Sequence, residues 1–245
     1  MRGLRSLLVF MGVSWSCLPI TGRDRAAADP ASGARSDPVP AGRTLDADAA
    51  SALEPEECLA LLAEWEIPFE RVDGAPGSIR TPIRLTGPVR GVTFRIPWVV
   101  RNGHDVLDCR LGVALAQWAS MLAERGIVEV RLFSFYRQGA RRGVSDPAGA
   151  GRLSQHHFGL AVDAGWFVTA AGDVLDVKEH FATTDGGPVC DGEAADDRAA
   201  VLPAVFCDAV RARLFHVQLS PLHDAHHRNH FHLDLGGGNG GWFVE

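Results

Sequence analysis

Two segments decide how this chain is read: Ser154-Gln155-His156-His157-Phe158-Gly159-Leu160-Ala161-Val162-Asp163 and His227-Arg228-Asn229-His230-Phe231-His232. In the first, His156 stands in a turn and Asp163 lies within the apolar run Leu160 to Val168, which reads as a strand. In the second, His230 to Leu235 also reads as a strand. Its period of two sets His230 and His232 on one face and turns Phe231 and Leu233 into the core. Zinc takes imidazole nitrogens and carboxylate oxygens in a tetrahedron, and a catalytic site keeps the fourth position for water. Two such strands side by side would bring His156, Asp163 and one of His230 and His232 onto one ion, with the remaining histidine beside it. Six of the ten histidines fall within 156–157 and 226–232. A loose, exposed histidine patch would not need this ordered spacing.

Working outward, the pattern predicts a helix from Pro55 to Trp65, where Pro55, Glu56 and Glu57 suit a helix start. Short extended stretches punctuated by Pro68, Pro82, Pro88 and Pro97 follow. A second helix is expected near Cys109 to Arg125, with Leu111, Leu115, Trp118 and Leu122 as its core stripe and Gly126 as its stop. Ile127 to Tyr136 reads as a strand with Glu129 and Arg131 on one face and Val128, Val130 and Leu132 on the other. Pro203 to Leu214 reads as a third helix, and Phe215 to Leu219 as a short extended piece. No regular βαβ repeat appears. The expected class is α+β, with a mainly antiparallel sheet and flanking helices.

The 245 residues carry 24 Lys and Arg against 30 Asp and Glu, a formal charge of -6, with no basic stripe. No nucleic-acid partner is expected. Arg2 and Arg5 precede an apolar run, Leu7 to Ile20, that is short for a membrane span and laid out like a signal peptide. The expected organisation is a signal segment over 1–20, a disordered tether over 21–48 and a folded domain over 49–245. Cleavage at Ala26-Ala27-Ala28 and lipidation of Cys17 are the alternatives, so any membrane contact would run through a lipid anchor. Without Cys17, four cysteines remain, Cys58, Cys109, Cys190 and Cys207, which suggests two disulfides in an oxidising compartment. Spacing does not rank the three pairings; Cys58 with Cys109 and Cys190 with Cys207 is the expectation taken forward.

Ser154-x-His156-x-x-Gly159-x-Ala161-x-Asp163 resembles the SxHxxGxAxD signature of the lysostaphin and D-Ala-D-Ala metallopeptidase group, which includes the VanY-type carboxypeptidases. His230-x-His232 resembles the HxH of its lysostaphin and murein-endopeptidase branches. Leu153 to Asp163, continued by Gly165-Trp166-Phe167, is similar to the bacterial extensin-like C-terminal family, as is Phe215 to Leu235. Weaker likeness reaches back through Cys109 and Pro82-Ile83-Arg84-Leu85 to about Cys58.

The resemblance implies a hedgehog/D-Ala-D-Ala-peptidase-like fold and one zinc ion per chain held by His156, Asp163 and His232. It also implies His230 assisting the attacking water, with His227 as a further catalytic histidine. Ser134-Phe135-Tyr136-Arg137 resembles the SxYR of the carboxypeptidases, which implies that Arg137 faces the developing oxyanion. Ser154 and Tyr136 are expected in supporting positions. The carboxypeptidases place a glutamate where Asn229 stands here, so proton transfer would fall to His230. The implied activity is a zinc metallopeptidase cleaving peptidoglycan stem peptides or cross-links in the periplasm or cell envelope, acting as a monomer. The alternative is a non-catalytic, zinc-stabilised wall-binding module.

Other signals point to no chemistry. The GxGxxG within Gly236 to Gly241 has no helix after it, and Asp191 to Asp197 lacks the alternation of a calcium loop. His104, His180, His216 and His223 read as surface or core residues.

Overall fold

In the computed structural model, Trp118 is fully buried and meets Phe167 and Phe215 edge-on, with centroids 5.9 and 6.1 Å away. That contact joins a central helix to the main sheet. The described residues are 44–76, 78–98, 103–139, 153–182, 189–190, 197–236 and 242–245. The signal segment, Cys17, the tether up to residue 43, the acidic residues 191–196 and the glycine-rich 237–241 lie outside them.

The chain begins with α1 (Ala47–Ala52) and α2 (Pro55–Glu64), followed by β1 (Phe69–Arg71), β2 (Pro82–Leu85), β3 (Thr93–Arg95) and β4 (Leu107–Asp108). Then come α3 (Cys109–Glu124), β5 (Ile127–Ser134), a 3-10 turn at Gln155–Phe158, and β6 (Ala161–Thr169). The elements β7 (Val174–Asp176), α4 (Val177–His180), α5 (Asp197–Arg211), β8 (Val217–Leu219), β9 (Phe231–Asp234) and β10 (Phe243–Val244) complete the order. Strands β1, β2 and β4 make a small antiparallel sheet. The main sheet runs β10-β8-β9-β6-β5-β3, with β7 also on β6. Its β6 pairings with β5, β7 and β9 are antiparallel, and only the outer β10–β8 and β3–β5 pairs are parallel. The expected α+β class with a mainly antiparallel sheet is what the chain adopts.

Helix α3 forms where its apolar stripe is expected, and Leu111, Leu115, Trp118 and Leu122 are all fully buried. Burying each of the three leucines is worth about 1.5–3 kcal/mol. Asp108 caps the helix, accepting from the Arg110 N–H at 3.1 Å, and Gly126 ends it at φ +74°. Asp108 is itself buried, and its other oxygen accepts from the Thr81 N–H at 3.0 Å. The disulfide Cys58–Cys109 ties α2 to the start of α3, and Cys190–Cys207 anchors α5. This is the pairing taken forward from the sequence.

Four expectations need correction. The fold reaches back past residue 49: Leu45 is buried, and its backbone exchanges hydrogen bonds with the Gln117 side chain. Asp46 caps α1, whose alanines are small enough to pack without showing a strong apolar pattern. Val128 is 40% exposed while Ile127 is fully buried, because a register irregularity between Ile127 and Glu129 turns the start of β5 over. Helix α5 starts at Asp197 rather than Pro203, leaving Pro203 inside it. Proline there forfeits one backbone hydrogen bond, while Leu202, Val205 and Phe206 are buried and hold the helix in place. Finally, β5 ends at Ser134 and β9 begins at Phe231, so Tyr136 and His230 fall just outside their strands.

Gly159 closes the 3-10 turn in the left-handed region at φ +66°, and a Cβ there would lie 2.9 Å from the Asp108 backbone nitrogen. Gly159→Ala is expected to destabilise the chain by about 1–3 kcal/mol, read as a lower denaturant midpoint at unchanged slope. An unchanged midpoint would show that the turn relaxes freely.

Candidate metal centre

Strand register sets the centre of the site. Asp163 on β6 stands opposite His232 on β9 and opposite Ser134 on β5. Directly opposed residues share a face of the sheet, so the Asp163 carboxylate and the His232 imidazole rise from the same side. His156 comes to them from the 3-10 turn. Ser154 caps that turn, its Oγ accepting from the His156 N–H at 3.4 Å, and Gly159 turns the chain into β6. Ser154 therefore supports the site through the backbone of His156.

Three imidazoles converge on one oxygen. Asp163 Oδ1 lies 3.0 Å from His156 Nε2, 2.9 Å from His232 Nδ1 and 3.4 Å from His230 Nε2. The other oxygen, Oδ2, pairs with Arg137 Nη2 at 3.0 Å. His156 is fully buried, while Asp163 and His232 are 1% and 9% exposed. His156 Nδ1 donates to the Phe135 carbonyl at 2.8 Å, which aims Nε2 at Asp163. His232 is held from behind by Asp234, whose Oδ2 is 3.1 Å from His232 Nε2 and whose Oδ1 accepts from the Gly236 N–H at 2.7 Å. Sequence reasoning missed Asp234. The signal was present, since Asp234 follows His232 by two along a strand and so shares its face.

The remaining sequence candidates divide. His230 flanks the cluster, its Nδ1 donating to Asn229 Oδ1 at 2.8 Å so that Nε2 faces Asp163. Asn229 thus sets the tautomer of His230. His227 stands one ring further out, 5.3 Å from His230 and 5.7 Å from His232 between centroids. Its Nδ1 is bound to Asp224 Oδ1 at 2.8 Å. Arg137 is half-exposed and pairs with Asp163, and its backbone N–H donates to the His156 carbonyl at 3.1 Å. Tyr136 does not join the cluster. Its ring is buried with Ile79 and Val106 and stacks on His157, because β5 has ended before it and the chain has turned away. His216 is a buried partner of Asp48, and His180 Nδ1 accepts from the Asp176 N–H.

The electrostatics follow from burial. Burial alone would raise Asp163, but the charge and hydrogen bonds of His156, joined by those of His232, outweigh it and hold the carboxyl well below its usual range. Burial pushes His156 down against the pull of Asp163, and pushes His230 down to about 4. In His232 burial is overcome by hydrogen bonds to Asp163 and Asp234, which push it up to about 9. Without metal, the proton shared by this cluster therefore sits on His232, between two carboxylates.

These residues fit a divalent ion. One ligand atom from each of His156, Asp163 and His232 lies within 4.8 Å of the others. Ligands of a tetrahedral zinc with bonds of about 2.0–2.1 Å stand about 3.3 Å apart, so the observed 2.9 and 3.0 Å separations need open only slightly. The backbone carbonyl behind one imidazole and the carboxylate behind the other are the supports that ligating histidines commonly have. Among the described residues this set comprises His156, Asp163 and His232, and His227 is not part of it.

An α+β domain with a buried two-histidine, one-aspartate cluster defines a protein with a metal-competent centre. Over residues 56–242 the chain matches the family described as extensin-like protein C-terminus, and it belongs to that family. No curated protein and no solved structure matches it. No helix among the described residues is long and apolar enough to cross a membrane.

Two predictions follow from this geometry. A histidine raised to about 9 contributes stability that is whole below ~6.5 and is lost as the pH climbs through about 9. Lowered histidines, His156 and His230, act the other way and cost stability as the pH falls below their ordinary value. The chelated chain should therefore melt highest near neutrality and lower on both sides. A melting temperature that rises steadily from pH 6 to pH 10 would contradict the assignment of the proton to His232. Asp234→Asn should weaken zinc about 10–100-fold, measured by competition with a chromophoric chelator; unchanged affinity would remove Asp234 from the site.

Proposed function

We propose that the chain is an exported zinc-dependent peptidase acting on peptide stems or cross-links of peptidoglycan, related to the lysostaphin and D-Ala-D-Ala metallopeptidase group. The observation that carries this reading is the convergence of His156 Nε2, His232 Nδ1 and Asp163 Oδ1, with His230 Nε2 alongside. Zinc in such a set lowers the pKa of water toward ~7 and polarises a scissile carbonyl.

The protein's own groups supply the rest. His230, neutral at pH 7 because burial holds it down to about 4, has a free Nε2 to take the proton of the attacking water and pass it to the leaving amine. Asn229 keeps that nitrogen in place. Arg137 fixes Asp163 through Oδ2, and its half-exposed guanidinium borders the region where an oxyanion would develop. Phe133 meets His230 edge-on at 5.6 Å and packs with Trp166 and the exposed Trp98, forming an aromatic wall against which a substrate can lie. Two disulfides suit an oxidising compartment such as the periplasm or cell envelope. Anchoring through Cys17 and a monomeric state belong to the same reading.

A second reading, a wall-binding module stabilised by zinc, draws on two observations. Arg137 is already engaged by Asp163, and the Asn229 side chain is bound to His230; by the resemblance, Asn229 stands where the carboxypeptidases carry a glutamate. Paired variants separate the two. His156→Ala should lose zinc and melt several degrees lower. His230→Ala should keep its zinc and lose about 10²–10⁴-fold in cleavage of purified peptidoglycan. Equal zinc loss in both would place His230 among the ligands. A zinc-loaded wild-type chain that binds peptidoglycan without cutting it would favour the binding module.

A further inference from the structure

Ten residues before the end of β9 the chain folds into a tight turn that gathers a second set of metal-ligating side chains. One ligand atom from each of His223, Asp224 and His227 lies within 4.8 Å of the other two. Nothing in the reading of the first cluster uses His223 or Asp224. We propose that His223, Asp224 and His227 form a second, weaker site for a zinc-class divalent ion, at the rim of the first.

The turn is organised as a ligand set would be. Asp224 Oδ1 accepts from the N–H groups of His226 and His227 at 2.7 and 3.0 Å, which orients the carboxylate and leaves Oδ2 turned toward His223. His223 Nε2 stands 3.7 Å from that oxygen, too far for a hydrogen bond and close to the separation of two ligands on one ion. Its other nitrogen, Nδ1, is bound to Glu245 at 2.6 Å, the carboxylate support that a ligating histidine commonly has. The ring of His223 is fixed further by the edge of Phe243 at 5.9 Å.

Charge agrees with the geometry. Burial would raise Asp224, but its hydrogen bonds from His227 outweigh it and bring the carboxyl to about 2. Asp224 and Glu245 together present two negative charges to a dication. Two imidazoles beside carboxylates select zinc-like metals over magnesium or calcium. The side chains of His223, Asp224 and His227 are 24%, 34% and 21% exposed, so this ion would exchange with solvent more readily than one at the buried cluster. His227 is the shared element: its Nδ1 now binds Asp224, and its ring borders both His230 and His232. The proposal does not depend on peptidase activity.

The test is metal stoichiometry. Metal-free chain dialysed against rising free zinc should take up one ion, then a second at higher concentration. His223→Ala should stop at one, and His156→Ala should retain only the weaker ion. Asp224→Asn keeps an oxygen for the turn's backbone hydrogen bonds while losing the charge, so it decides the matter if His223→Ala fails to fold. A wild-type chain saturating at one zinc that is lost in His156→Ala would overturn the proposal. So would a second zinc that survives both His223→Ala and Asp224→Asn, which would mark adventitious binding. A single zinc lost in His223→Ala but kept in His156→Ala would uphold this site and overturn the ligand role of His156.

Discussion

Asp163 carries a negative charge into the middle of the sheet, where only 1% of its surface meets water. A carboxylate so placed is tolerable only when fully paired, because desolvation costs several kcal/mol per ion. Every neighbouring element contributes to that pairing. The turn before β6 brings His156, β9 brings His232, the residue just before β9 brings the His230 ring to its edge, and the chain after β5 brings Arg137. The site is thus the means by which β5, β6 and β9 resolve a buried charge, and the architecture around it is arranged to keep these partners in register.

That register rests on features away from the cluster. Asp108 caps α3, holds Thr81 just before β2 and donates its backbone N–H to the Gly159 carbonyl at 2.9 Å. One buried residue, through its side chain and its backbone N–H, therefore connects the helix, the chain entering the small sheet and the turn that presents His156. On the opposite face of the main sheet, Phe231 packs between Phe167 and Phe206, with centroids 5.5 and 5.2 Å away. Strand β9 is accordingly held on both faces: its apolar residues are clamped in the core while its His232 meets Asp163. Small shifts of β9 along β6 would bury a charge without its partner, so the core and the site favour the same register.

Proton and metal compete for the same place. The metal-free cluster is neutralised by a proton on His232, held between Asp163 and Asp234. A dication entering the set would displace that proton and would be favoured by the two carboxylates that attract it now. His230 is different, since burial lowers it and Asn229 fixes its outer nitrogen. The contrast between two histidines only two residues apart comes from their second neighbours, a carboxylate for one and an amide for the other.

Much of this was legible in the chain. Strand alternation set His230 and His232 on one face, helical spacing identified the buried stripe of α3, and the candidate cluster residues could be named from their order. Local sequence carries such information because side-chain direction follows directly from the backbone period. What lay beyond it was non-local. The irregularity that exposes Val128, the folding of Leu45 onto Gln117, the removal of Tyr136 to a separate cluster and the support of His232 by Asp234 all depend on pairing partners. The sequence by itself determined the side-chain types of the cluster and the faces from which they project. Only the tertiary structure decided which nitrogen of each histidine meets Asp163, because that choice is made by the carbonyl of Phe135 and the carboxylate of Asp234, groups brought to the rings by the sheet and the turns around it.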